Sequence, residues 1–162
     1  MGQASGIHVP AGTGRALWGP GDRYDILATG VQTAGSVFLI ECHVALGGGP
    51  PPHIHHRETE SFYVLDGSFA VTVGTDAFDA GPGDFVVVPK GLTHSFANSG
   101  SGVSRMLAIF SPAGMEGWFT EALDDAQDRA AVPPPPTPEM IERMLAAGPA
   151  HGVEWVLPRS VV

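Results

Sequence analysis

The chain has 162 residues, 43% hydrophobic and 15% charged, which suits one globular domain with a sizeable core rather than a disordered chain. Its net charge of −9, with only 8 Lys and Arg scattered singly, leaves no basic patch for nucleic acid or an anionic membrane. The single Cys42 rules out an internal disulfide, no apolar run is long enough to span a membrane, and Met1–Gly6 has no apolar leader and no myristoylation pattern, so a cytoplasmic location is expected.

In chain order, Arg15 to Trp18 and Arg23 to Thr29 are possible early strands. Ser36 to Leu46, Glu60 to Leu65, Ser68 to Val73, Asp84 to Val88, His94 to Ala97 and Val103 to Phe110 follow, each rich in Val, Ile and Phe and bounded by Gly, Pro, Asp or Asn. Asp66-Gly67 between two of these runs signals a tight hairpin. Many short strands at this spacing predict an all-β sandwich or closed barrel. After Phe110 the period changes. Met115, Trp118, Phe119, Ala122 and Leu123, with acids between them, predict an amphipathic helix over Gly114 to Asp128. Pro133 to Pro136 is a stiff linker, and Thr137-Pro138-Glu139 opens a second helix running to about Ala147, stopped by Gly148-Pro149. Val153 to Leu157 reads as a closing strand or an ordered tail. The division expected is an N-terminal extension over 1–35, a barrel core over 36–112, and C-terminal helices and tail over 113–162.

The chemistry concentrates in four residues. His53 and His55, two apart on a strand, point to one face, and Gly47-Gly48-Gly49-Pro50-Pro51-Pro52 delivers them from a turn. Glu60 shares a face with apolar Phe62 and Val64, where an unpartnered charge would be costly. With His94 these residues form a donor set for one divalent metal ion, imidazole being the commonest ligand for borderline metals. His56, Arg57 and Glu58 fall off the pattern and read as solvated loop residues; His8 and His151 receive no role. Glu41 and His43 lie opposite the Phe38, Ile40, Cys42, Val44 face. An interior apolar face puts them outside or in a subunit contact; the reverse orientation would put them beside the ion. Asn98 reads as a turn stabiliser.

These residues carry a resemblance. Gly47, His53, His55, Glu60 and Gly67 match the first cupin motif, G-x5-H-x-H-x4-E-x6-G. Gly83, Pro89, Gly91, His94 and Asn98 match the second, G-x5-P-x-G-x2-H-x3-N. The match spans residues 47 to 98, about a third of the chain. It implies the cupin jelly roll (double-stranded β-helix) with short C-terminal helices added, and His53, His55, Glu60 and His94 as metal ligands inside the barrel. The wider stretches Glu60–Leu65 and Ile109–Gly114 resemble single-domain relatives of the quercetin (flavonol) dioxygenases, enzymes that often carry two cupin units where this chain has one.

That likeness implies a metal-dependent dioxygenase acting on a small enolisable aromatic substrate, flavonol-like or polyketide-like. The ion could be Fe, Mn, Ni, Co, Cu or Zn. Glu60 would take the substrate's hydroxyl proton as general base, and dioxygen would be the co-substrate. Phe62, Val64, Phe69, Val71, Phe96, Met106 and Phe110 are candidates to line or back the pocket, with Met115, Trp118 and Phe119 closing one mouth. The scarcity of cations argues against sugar-phosphate isomerase and oxalate chemistry. Two alternatives share the donor set: a cyclase, isomerase or decarboxylase using the ion as a Lewis acid, as in zinc polyketide cyclases that this chain resembles, and a non-catalytic binding module. A homodimer is expected, with exposed strand edges near the N-terminus as pairing sites.

Overall fold

The computed structural model describes residues 6–157. Its strands, in chain order, are β1 (Ala16–Trp18), β2 (Arg23–Ala28), β3 (Phe38–Val44), β4 (His53–His55), β5 (Thr59–Asp66), β6 (Phe69–Val73), β7 (Asp76–Ala80), β8 (Phe85–Val88), β9 (His94–Asn98), β10 (Ser104–Ser111), β11 (Asp124–Asp125) and β12 (Val153–Trp155). Helix α1 (Glu116–Ala122) lies between β10 and β11, and α2 (Pro138–Ala147) precedes β12. A seven-stranded sheet runs β11-β1-β2-β3-β10-β5-β8, and a five-stranded sheet runs β12-β4-β9-β6-β7. All pairings are antiparallel. The all-β jelly roll with two short helices is the architecture.

Period-two alternation explains which face is inside. On β3, Phe38, Ile40, Cys42 and Val44 are buried, while Leu39, Glu41 and His43 are half-buried on the other face. On β10, Met106, Ala108 and Phe110 point inward beside them, in register with Cys42, Ile40 and Phe38. Phe62 and Val64 of β5 and Phe69 and Val71 of β6 complete the core. Each large side chain so buried stabilises the fold by about 1.5–3 kcal/mol.

Three features differ from the expectations. Strand β7, sequence Asp-Ala-Phe-Asp-Ala, has little β propensity and was not anticipated; it forms by pairing along β6 from Phe69↔Ala80 to Val73↔Asp76. Helix α1 ends at Ala122 rather than running on to Asp128, because Leu123 is extended (φ −113°, ψ 159°) and Asp124 and Asp125 pair with Trp18 and Leu17. That pairing covers β1, so among the described residues the N-terminal strands present no free edge. Exposed sheet edges are β8, where Phe85 is 58% and Val87 50% exposed, and β7 of the other sheet. Helix α2 starts as expected, with the Thr137 side chain accepting from Met140 N at 3.2 Å and Pro138 in the first turn.

Candidate metal centre and cavity

The four donor residues reach one point from both sheets. His53 and His55 come from β4 and His94 from β9, with His53 and His94 directly paired. Glu60 comes across from β5 of the facing sheet, in register with Phe110. The Gly/Pro turn positions β4: Gly47 N donates to Asn98 O and Asn98 N to Gly48 O, clamping the turn to the end of β9. Gly49, at φ 144°, passes so close to the Phe96 carbonyl that a Cβ there would collide with it. Asn98 holds the neighbouring turn, its amide donating to Val44 O and Gly102 O while its oxygen accepts from Gly100 N and Ser104 Oγ.

All four residues are buried, and one ligand atom from each lies within 4.8 Å of the others. Glu60 Oε2 is 2.9 Å from His94 Nε2 and 3.1 Å from His55 Nε2. Adjacent ligands of an ion with bonds of 2.0–2.2 Å stand about 3 Å apart, so these spacings fit a coordination sphere. His53 Nδ1 lies 2.9 Å from Pro51 O, and His94 Nδ1 lies 3.1 Å from Leu92 O. A carbonyl only accepts, so both Nδ1 atoms carry hydrogen and both Nε2 atoms are left to face the cluster.

Electrostatics agree with that donor set. Burial pushes the Glu60 carboxyl up, but hydrogen bonds and charge from His55 and His94 outweigh it and hold it well below the usual carboxylate range. His53 falls to about 4, mainly through burial, helped by His94 and His55 and opposed by Glu60. Burial works downward on His94 too, yet its bond to Glu60 leaves it raised. A buried carboxylate ringed by three imidazoles suits a divalent cation. The residues present fit the ion that their pattern implies.

Glu58 is a correction: it is 2% exposed rather than solvated. Its Oε2 lies 4.0 Å from His55 Nδ1, and neither atom has a hydrogen-bond partner among the described residues. Burial raises its pKa. Gly114, at φ 156°, leaves room for its Oε1. Glu41 and His43 lie on the outer face, where Arg105 donates to Glu41 at 2.7 Å and His43 sits 3.4 Å from Asp25.

Beside the quartet opens a cavity of about 490 Å³, within the range of small-molecule sites. Phe96, Phe110 and Trp118 line it, as do Met115 and Phe119. Phe62, Val64, Phe69, Val71 and Met106 do not; they are buried in the packed part of the barrel, where Phe62 and Phe69 meet the Phe96 ring at 5.4 and 5.8 Å. The outer wall is C-terminal: Met144, Leu145 and Trp155 line the cavity, and the Trp118 and Trp155 indoles donate to Met144 O and Leu145 O. Asp22 and Tyr24 also line it and were missed by sequence reading, because nothing local to them signals burial. No Lys or Arg lines the cavity among the described residues.

Comparison with known proteins places this geometry. Residues 40–110 match the cupin domain family. Germin-like protein 1-1 of Oryza sativa is 36% identical over 113 residues, covering 67% of this chain and 50% of the relative. Quercetin 2,3-dioxygenase of Bacillus subtilis is 27% identical over 134 residues, covering 78% of this chain and 39% of the relative. The chain thus spans about half or less of the length of these relatives. An RmlC-like cupin from Shewanella frigidimarina superposes with a TM-score of 0.58 at 20% identity, covering 71% of this chain and 99% of that one, a likeness of fold.

Proposed function

The chain carries a cupin domain over residues 40–110, and on that premise we propose a metal-dependent dioxygenase acting on a small, enolisable aromatic molecule. One observation carries the reading: the His53, His55, Glu60, His94 quartet borders an apolar cavity large enough for a planar guest and lined by no cation among the described residues. Among the described residues a phosphorylated or dicarboxylate substrate would find no Lys or Arg there to pair with, only the ion itself. The Bacillus subtilis relative, a quercetin 2,3-dioxygenase, supports the choice of reaction.

A divalent ion held by the quartet supplies a Lewis-acidic centre that adjacent substrate oxygens can chelate and, if redox-active, a route to dioxygen. The protein's own residues do the rest. Glu60, the one carboxylate of the quartet, accepts the proton of the substrate's enolic hydroxyl. His53 and His94, their Nδ1–H groups tied to backbone carbonyls, hold their rings in fixed orientations. Phe110, Phe119, Trp118 and Trp155 exclude water and press on the faces of an aromatic guest.

The test is oxygen uptake by protein loaded in turn with Fe, Mn, Ni, Co and Cu, with 3-hydroxyflavone as a first substrate. Consumption of dioxygen coupled to loss of the flavonol absorbance is expected. Undiminished turnover of an enolisable substrate by zinc-loaded protein without oxygen would instead assign a Lewis-acid cyclase, isomerase or decarboxylase. Tight binding without turnover would make the barrel a carrier.

A further inference from the structure

Asp22 lies inside the cavity wall, 3% exposed, just before β2. Its side chain shares a face with Tyr24, two residues on. Asp22 Oδ1 accepts from Ala45 N at 2.8 Å, and Oδ2 accepts weakly from the Tyr24 hydroxyl at 3.3 Å. An ionised carboxylate offers about four acceptor positions, so two remain unused. No cation lines the cavity to balance it among the described residues. Burial, opposed by those two donors, lifts its pKa to about 6. At neutral pH a charge with spare acceptor capacity therefore faces an otherwise apolar space. Anchoring the Ala45 turn explains one oxygen; an asparagine would do that equally well.

Among the polar residues of the cavity, the Asp22–Tyr24 pair and Glu60 rise from different backbone rungs. Tyr24 pairs with Cys42 on β3, whereas Glu60 lies on the rung of Phe110 and Phe38, four residues along β3. That is an offset of about 13 Å along the strands. Asp22, Tyr24 and Glu60 nonetheless line one and the same cavity. The ligand that satisfies both ends is elongated, with chelating oxygens at one end and a hydrogen-bond donor at the other.

We infer that Asp22, steadied by Tyr24, forms a second subsite that accepts a hydrogen bond from a hydroxyl on the end of the substrate remote from its chelating oxygens. The substrate class is thereby narrowed to uncharged aromatics bearing a distal phenolic hydroxyl. The subsite rests on the chelation reading above.

The probes are 3-hydroxyflavone, 3,4′-dihydroxyflavone and 3-hydroxy-4′-methoxyflavone. Each is titrated into zinc-loaded full chain and followed by the absorbance shift of the bound flavonol. Wild-type protein is expected to bind the 4′-hydroxy compound about tenfold tighter than 3-hydroxyflavone, as one hydrogen bond to a charged acceptor allows. The methoxy compound, which cannot donate, gains nothing. In Asp22→Asn the tenfold preference for the 4′-hydroxy compound over 3-hydroxyflavone shrinks to about twofold. Equal binding of the hydroxy and parent compounds by wild type, with binding of both intact, overturns the subsite alone. So does an equal gain for the methoxy compound, or a preference that survives Asp22→Asn. Failure of all three to bind overturns the subsite and the chelation reading together. The three-probe comparison on wild type decides the matter even if the variant does not fold.

Discussion

Glu58 shows how much a single residue's surroundings can alter its part. Its buried carboxylate lies 4.0 Å from His55 Nδ1, and neither atom has a hydrogen-bond partner among the described residues. Once Nε2 is committed to an ion, Nδ1–H needs an acceptor, and outer partners of this kind are worth 10–100-fold in metal affinity. Glu58→Gln is expected to weaken zinc binding roughly tenfold, measured by competition with a chromogenic chelator; unchanged affinity would leave the carboxylate a packing group. Asp22 makes a pH-dependent prediction. Its folded pKa, about 6, lies above its ordinary 3.8, so the proton favours the folded state. That contribution is fully present below about pH 4 and is lost as pH rises through 6. Asp22→Asn should therefore be more stable than wild type at pH 7.5, by about 3 kcal/mol, and no more stable at pH 4, in urea titrations at the two pH values. The grouping of His53, His55, Glu60 and His94 was legible because two histidines share a strand face, Glu60 sits among apolar neighbours and His94 falls in the second motif. Glu58 and Asp22 were not, since their burial is made by distant chain, Gly114 against the one and the 45–48 turn against the other.

The helices are the elements on which the cavity depends. Trp118 of α1 and Trp155 of β12 both hydrogen-bond to carbonyls of α2 and tie it over the mouth. The Thr137 cap secures the first turn of α2, so Thr137→Ala is expected to cost about 1 kcal/mol. Hydrogen exchange should show the loss in residues 138–147, with β3 and β10 protected as before. Equal loss of protection in the barrel strands would mean that α2 and barrel unfold as one unit. Helix α2 was legible from its cap, its proline and its Gly-Pro stop. Helix α1 was overextended because its apolar spacing continues to Leu123; the need to pair β1 decides where it ends, and that need is invisible along the sequence. Strand β7 was unreadable for a related reason: Asp76, Ala77, Phe78 and Asp79 are exposed on an edge held by β6.

At the scale of the molecule, the two sheets are joined through their polar centre as well as their core. Glu60 comes from the seven-stranded sheet and the three histidines from the five-stranded one, so an ion bound by all four links the two. Metal should accordingly stabilise the whole barrel. Zinc at about 100 times its dissociation constant adds about 2.7 kcal/mol, or roughly 5–10 °C in Tm for a chain of this size, reversed by a chelator; an unchanged Tm would show that the ion does not bridge the sheets. The measurement that bears most directly on the account is the metal content of the purified, metal-loaded chain, compared with His94→Ala and Glu60→Ala. One divalent ion per wild-type chain, with loss of most of it from both variants, is the expected result. A wild-type chain that takes up none, or variants that keep a full complement, would contradict it.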